Sequence, residues 1–271
     1  MKIGVRAHDF GRKDEKELAK VIKDAGFSCV QLALTKAIEG INSFEDITEK
    51  RVYNIRNEFE KNSVEISVLG CYIEPSILDT DQRLKNIENF KKSLEYANML
   101  GSKIVGTETT NFSEDESLRA ERFEILKDSV LRILDKAEKE NVFVGIEPVA
   151  EHTLNTPQLT KQLLDYAKSE KLKIIFDPVN LVLPETIEKQ DEIFNEFFKL
   201  VGNEIVSLHA KDTVIENNEK AWCILGEGVI NHDLIFEYLL KNKPEISLLR
   251  EGVEMDSFNI DIEFLKSKAL I

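Results

Sequence analysis

Val142-Phe143-Val144-Gly145-Ile146-Glu147-Pro148 and, one unit further on, Lys173-Ile174-Ile175-Phe176-Asp177-Pro178 are the stretches from which the fold is read. Each is a short, β-branched apolar run that ends on one carboxylate and is stopped by proline, which has no N–H to give to a strand ladder. The apolar residues run on without clean alternation, as they do in parallel strands covered on both faces. Ile205-Val206-Ser207-Leu208-His209 and Ile246-Ser247-Leu248-Leu249-Arg250-Glu251 likewise end on one metal-competent side chain, though Ala210 and Gly252 follow in place of proline. Glu147, Asp177, His209 and Glu251 therefore close four successive strands, at intervals of about 30 to 40 residues, the length of one strand-plus-helix unit.

Four earlier strands are expected over Ile3–Ala7, Cys29–Leu34, Val64–Leu69 and Lys103–Glu108. Helical periodicity fills the gaps over Asp14–Ala25, Ile47–Lys61, Gln82–Leu100, Glu114–Glu140, from Thr156-Pro157 onward, over Gln190–Val201, from Asn231 to Leu240, and over Ser257–Ser267. Gly26 and Gly101 sit where helices stop, and Thr156-Pro157 supplies an N-cap followed by proline at the first helical position. Eight strand-then-helix units with right-handed crossovers close naturally into an α/β fold, a parallel eight-stranded (β/α)8 TIM barrel. An open doubly wound sheet expects a glycine-rich phosphate turn after its first strand, and Arg6-Ala7-His8-Asp9-Phe10-Gly11 is not one. With no linker or shift of composition, one domain over residues 1–271 is expected. The chain wanders only at Thr213–Ile230, read as a long loop of lid-like length.

Of 271 residues, 42% are hydrophobic and 32% charged, enough apolar material for a substantial core. The net charge of −14 and the absence of a basic cluster oppose binding to long nucleic acid, whose phosphates are gripped through lysine and arginine. No apolar run reaches the ~18–20 residues of a membrane span. The N-terminus leads straight into a strand without a signal-like apolar region, so a cytoplasmic protein with no membrane partner is expected. Cys29, Cys71 and Cys223 are read as unpaired thiols of a reducing compartment.

In a parallel barrel the carboxyl ends of the strands face a common mouth. Three carboxylates and an imidazole gathered there suit one divalent metal ion per chain, Mn2+, Mg2+, Co2+ or Zn2+, and the lack of thiolates argues against a structural zinc. The chain resembles the xylose isomerase-like barrel superfamily, which contains sugar-phosphate isomerases and epimerases, inosose dehydratases and endonuclease IV. The residues that carry the likeness are Glu147 in GIEP, Asp177 in IFDPVN, His209 in SLHAKD and Glu251 in LLREG. The resemblance implies that all four hold the metal, and that Glu147 and Glu251 form a catalytic acid–base pair on opposite faces of a small carbohydrate. The activity implied is sugar, sugar-phosphate or sugar-acid isomerisation or epimerisation, by removal of an α-proton through a metal-stabilised enediolate.

Further rim residues are expected to bind substrate: His8 after the first strand, Glu108 at the end of the fourth, His152 five residues past Glu147, Asn180 after Asp177, and Lys211, the last paired either with Asp212 or with an anionic substrate group. A buried Glu108 should find a histidine, lysine or substrate partner. Gln31 stands where many epimerase-like members carry glutamate. Trp222, in the long loop, is read as packing in preference to a wall of the pocket, His232 as a surface residue, Arg250 as structural, and Phe194, Phe197 and Phe198 as helix-to-barrel packing. Competing readings are dehydration of an inosose or keto-sugar at the same site, an endonuclease IV-like nuclease, opposed by only four histidines and the acidic charge, and a non-catalytic binding protein. A homo-oligomer is compatible with all of them.

Overall fold

The computed structural model describes residues 1–270. The chain begins β1 (Lys2–Arg6), α1 (Glu15–Asp24), β2 (Cys29–Leu32), the one-turn α2 (Leu34–Ala37), α3 (Glu49–Lys61), β3 (Glu65–Gly70), α4 (Thr80–Leu100), β4 (Ile104–Glu108) and α5 (Arg119–Glu140). It continues with β5 (Phe143–Glu147), α6 (Pro157–Ala167), β6 (Leu172–Phe176), α7 (Gln190–Val201), β7 (Ile205–Ala210), β8 (Thr213–Glu216), β9 (Glu219–Trp222), α8 (His232–Asn242), β10 (Ser247–Arg250) and α9 (Phe258–Ala269). Strands β1 to β7 and β10 form the closed parallel barrel in the order β1-β10-β7-β6-β5-β4-β3-β2. The expected (β/α)8 barrel is therefore what forms. No described helix is long and apolar enough to cross a membrane.

Local chemistry explains the boundaries. Asp14 accepts from the Lys16 and Glu17 amides, Thr156 from Leu159 and Asn231 from Leu234, so three helices start on the side-chain caps their sequences offer. Gly26 (φ +94°) and Gly101 (φ +77°) take the left-handed geometry that ends a helix. The helix expected from Glu114 begins as α5 only at Arg119, after a 3-10 turn over Glu116–Leu118.

Alternation along each strand separates two environments. Outward side chains meet the helices: Phe176 packs against Phe194, Phe197 and Phe198 of α7 at centroid distances of 5.8, 5.0 and 5.2 Å. Inward side chains fill the barrel, where Cys29, Val68, Ile175 and Leu249 form a buried apolar plug. The plug fits because its neighbours are glycines. A Cβ on Gly106 would fall 2.7 Å from Ile175 Cδ1 and 2.9 Å from Val68 Cγ1.

The stretch after β7 departs from the expected loop. Thr213–Glu216 and Glu219–Trp222 pair antiparallel as a hairpin. Asn217 (φ +51°) and Asn218 (φ +63°) turn it, and two consecutive left-handed residues are what a tight right-twisted hairpin requires. Four-residue strands are too short to show a period in sequence, so the paired asparagines were the readable signal.

Candidate metal centre

Two residues beyond the level of the plug, the same inward face reaches the barrel mouth. Ile175 is followed inward by Asp177, Leu249 by Glu251, Gly145 by Glu147 and Ser207 by His209. Glu147, Asp177, His209 and Glu251 are each no more than 3% exposed. Outward-facing Arg250, between Leu249 and Glu251, instead donates to Asp261 Oδ2 of α9 (2.7 Å), the structural role expected of it.

The four candidate ligands converge on one atom. His209 Nδ1 lies 3.0 Å from Glu147 Oε2, 3.4 Å from Glu251 Oε1 and 3.8 Å from Asp177 Oδ2. Glu147, Asp177 and His209 each bring a ligand atom within 4.8 Å of the other two. Atoms bound ~2.1 Å from one ion stand roughly 3 to 3.5 Å apart, so these separations suit a shared divalent cation. His209 is oriented for it: Nε2 is 2.8 Å from Gln31 Oε1, which turns Nδ1 toward the carboxylates. His209 Nδ1 and Asp177 Oδ2 are buried atoms without a hydrogen-bond partner. Such groups are rare and costly inside a protein, and an ion would satisfy both.

The protein supplies its own cations at the edges. Lys211 Nζ is 2.7 Å from Asp177 Oδ2, an ion pair too poorly aligned to be a hydrogen bond, and 2.8 Å from Glu251 Oε2. Arg6 Nη1 donates to Glu251 Oε2 at 3.1 Å, and Gln31 Nε2 reaches Glu251 Oε1 at 3.3 Å. Burial works against charge on Glu251, yet His209, Lys211 and Arg6 hold it well below the usual carboxylate range. Against the same desolvation, Glu251 and Glu147 lift His209 to about 9. Asp177 is pushed up by burial, with Lys211 opposing. Three buried carboxylates face Lys211, Arg6 and, at neutral pH, a protonated His209, so a divalent ion bound here would displace the His209 proton.

The remaining expected residues divide. Asn180 Nδ2 donates to Glu147 Oε1 (2.6 Å) while its amide donates to Asp177 Oδ1 (2.9 Å), so it orients two candidate ligands. Glu108 pairs in register beside Glu147. Desolvation, followed by the Glu147 charge, raises it to about 7. Of the histidine, lysine or substrate partner expected for it, the structure offers His152, whose Nε2 is 3.8 Å away, beyond hydrogen-bond reach. His8 stands edge-on to Tyr72 (6.3 Å), and burial, then Arg6, lowers it to about 4. His8 and His152 each carry a buried, unpartnered Nδ1.

Three expectations are corrected. Lys211 and Asp212 do not pair, since successive strand-end residues point opposite ways. Asp212 instead accepts from the Gly226, Gly228, Ile230 and Thr213 amides and lies 3.1 Å from His232 Nε2. His232 is therefore buried rather than at the surface, because the turn after the hairpin folds over it. Trp222 is 52% exposed at the mouth, not packed in the core. Arg6 and Gln31 went unassigned to the site, although alternation from Gly4 and Cys29 turns both inward.

A family profile described as "Xylose isomerase-like TIM barrel" matches residues 19–267. No curated protein sequence matches the chain. Among solved structures it is similar to a D-tagatose 3-epimerase-like protein, with 20% identity and a TM-score of 0.79 over 99% of this chain and 97% of the other. It is also similar to D-psicose 3-epimerase (DPEase) in the presence of D-fructose, with 14% identity and a TM-score of 0.77 over 99% of each chain. A third is the IOLI protein with a binding zinc atom, with 16% identity and a TM-score of 0.74 over 100% of this chain and 95% of the other. At these identities the likeness is one of fold.

Proposed function

Because the chain belongs to the xylose isomerase-like TIM-barrel family, we propose that it is a divalent-metal-dependent isomerase or epimerase of a small sugar, working by removal of a proton next to a carbonyl. The observation that carries this reading is His209 Nδ1, a buried atom without a hydrogen-bond partner that lies 3.0 Å from Glu147 Oε2, 3.4 Å from Glu251 Oε1 and 3.8 Å from Asp177 Oδ2. In this reading Glu147, Asp177, His209 and Glu251 hold the ion, Mn2+ being the first choice for oxygen ligands with one imidazole. Bound there, it would polarise a substrate oxygen as a Lewis acid.

The chain's own residues do the rest. Glu147 and Glu251 reach His209 from two different strands, so a substrate carbon between them meets a carboxylate on each side. One takes the α-proton and the other returns a proton, which inverts the centre; return to the neighbouring carbon interconverts aldose and ketose. Asn180 fixes Glu147 and Arg6 fixes Glu251. His8, Glu108, His152 and Lys211 line the approach and offer donors and acceptors to hydroxyl groups. Since every barrel strand frames this mouth, residues 1–271 act as one domain.

The test is metal analysis followed by proton exchange. Protein purified without chelator should carry about one divalent ion per chain, lost in Asp177→Ala and His209→Ala. Ketoses in D2O should then exchange their α-hydrogen, with Glu147→Gln and Glu251→Gln slowing exchange by ~10²–10⁴-fold. Metal binding with undiminished turnover by both variants would remove their assigned roles. Loss of water from the sugar, in place of an epimer, would identify a dehydratase.

A further inference from the structure

Trp222 is the only tryptophan of the chain, and it closes β9 at the rim of the mouth with 52% of its surface exposed. Its position is built rather than loose. A Cβ on Gly252, the residue after Glu251, would fall 2.0 Å from the indole Cε3, so the ring rests on backbone that only glycine leaves open. The Arg6 guanidinium lies 5.4 Å and the Lys211 ammonium 5.5 Å from the ring centroid. Both cations also contact Glu251. The ring thus borders the groups that hold one of the two proposed acid–base carboxylates.

The hairpin carrying the ring is tied down on both sides. Lys220 Nζ donates to the Val179 and Val182 carbonyls, each at 3.0 Å, which binds β9 to the loop after β6. Arg250 Nη2 donates to the Cys223 carbonyl at 3.0 Å, and the Cys223 amide to the Asp212 carbonyl at 3.4 Å. An indole held this firmly with half its surface bare is a preformed apolar wall among polar groups. Sugars present the matching surface, with C–H faces that prefer an apolar neighbour and hydroxyl edges that need donors and acceptors.

We infer that Trp222 is the platform on which the C–H face of a sugar lies while its reacting carbon faces Glu251, which makes it a specificity-determining residue. The inference rests on the function proposed above. Its own evidence is the exposed ring, the Gly252 contact and the two cations shared with Glu251.

Because Trp222 is the sole tryptophan, its emission reports on this position alone. Mn2+-loaded protein is titrated with D-fructose, D-tagatose and D-psicose, with emission and heat followed in parallel. At least one sugar should change the emission, saturating at the concentration where the heat saturates. Trp222→Ala should weaken that sugar about ten-fold or more, whereas Trp222→Phe, which keeps a ring, should stay within about three-fold. Thermal melts of both variants check that they fold. Heat that saturates without an emission change, with wild-type affinity in Trp222→Ala, would overturn the platform and leave the function standing. Wild-type sugar affinity together with a smaller mass in solution for Trp222→Ala would overturn it in favour of a contact between copies of the chain. Failure to take up Mn2+, or Mn2+ uptake with no heat from any of the three sugars, would overturn the functional reading and the platform with it.

Discussion

The barrel interior holds two layers only two residues apart on the same strands, and they obey opposite rules. Ile175 and Leu249 belong to the apolar plug, while Asp177 and Glu251, one alternation further on, are as deeply buried and charged. The plug is complete in itself: apolar atoms meet apolar atoms, and glycines leave the room they need. The upper layer is a network of buried charges, three carboxylates set against Lys211, Arg6 and His209, with His209 Nδ1 left without a hydrogen-bond partner. The lower layer is stabilised by packing, whereas the upper layer depends on its charges being paired, with Lys211, Arg6 and His209 offsetting the burial of the carboxylates.

Removing Lys211 should produce the largest change in stability. Lys211→Met leaves Asp177 and Glu251 buried without their ammonium, and should cost about 3–5 kcal/mol in metal-free protein. Added Mn2+ should restore part of that in a chemical denaturation series. Leu249→Ala in the plug should cost a similar ~2–5 kcal/mol, with no differential rescue by Mn2+. Equal metal rescue of the two variants would erase the distinction between the layers.

Gly106→Ala should cost ~1–3 kcal/mol through overpacking, because the new methyl meets Ile175 Cδ1 and Val68 Cγ1. A second change, Ile175→Val, should recover part of it, since Cδ1 is the nearest clash. Failure of that rescue would mean the plug yields elsewhere.

Asp212 sharpens the contrast from the other side, as a buried carboxylate whose needs the fold meets unaided. Burial opposes its charge, but the His232 contact and the amides of Gly226 and Thr213 hold its pKa below the ordinary carboxylate range. A depressed folded-state value means that its contribution is present above the unfolded value of ~3.9 and is lost as pH falls through the folded one. Asp212→Asn should cost ~1–3 kcal/mol at neutral pH, flatten the acid limb of stability below about pH 4, and gain no more from Mn2+ than wild type does. An unchanged acid limb would remove Asp212 as its source.

Much of this is legible in the sequence. The strand ends at Glu147, Asp177 and Glu251 are local facts, because an apolar run followed by a polar residue and proline or glycine has few alternatives, and His209 follows from the same apolar run and unit spacing. The caps at Asp14, Thr156 and Asn231 are equally local. Less legible were Arg6 and Gln31, whose place in the site follows from an alternation that short strands barely reveal. Asp212 and His232 were misread because their partners lie across a turn that looked unstructured. Asn180 was recognised as part of the site, but that it holds Glu147 depends on the gap between two neighbouring strand ends.

What the sequence by itself determined is the order of strands and helices, hence the closed barrel, and the set of metal-competent side chains delivered to one rim. Hydrophobic periodicity and chain stops are short-range properties, and eight repeats of one unit leave little choice of topology. Tertiary structure alone decided which groups touch: that Lys211 bridges Asp177 and Glu251, that Gln31 turns His209, and that Trp222 rests on Gly252 at the mouth. Those contacts join residues far apart in the chain, and their distances depend on strand stagger, bulges and loop closure, which no local pattern of residues encodes.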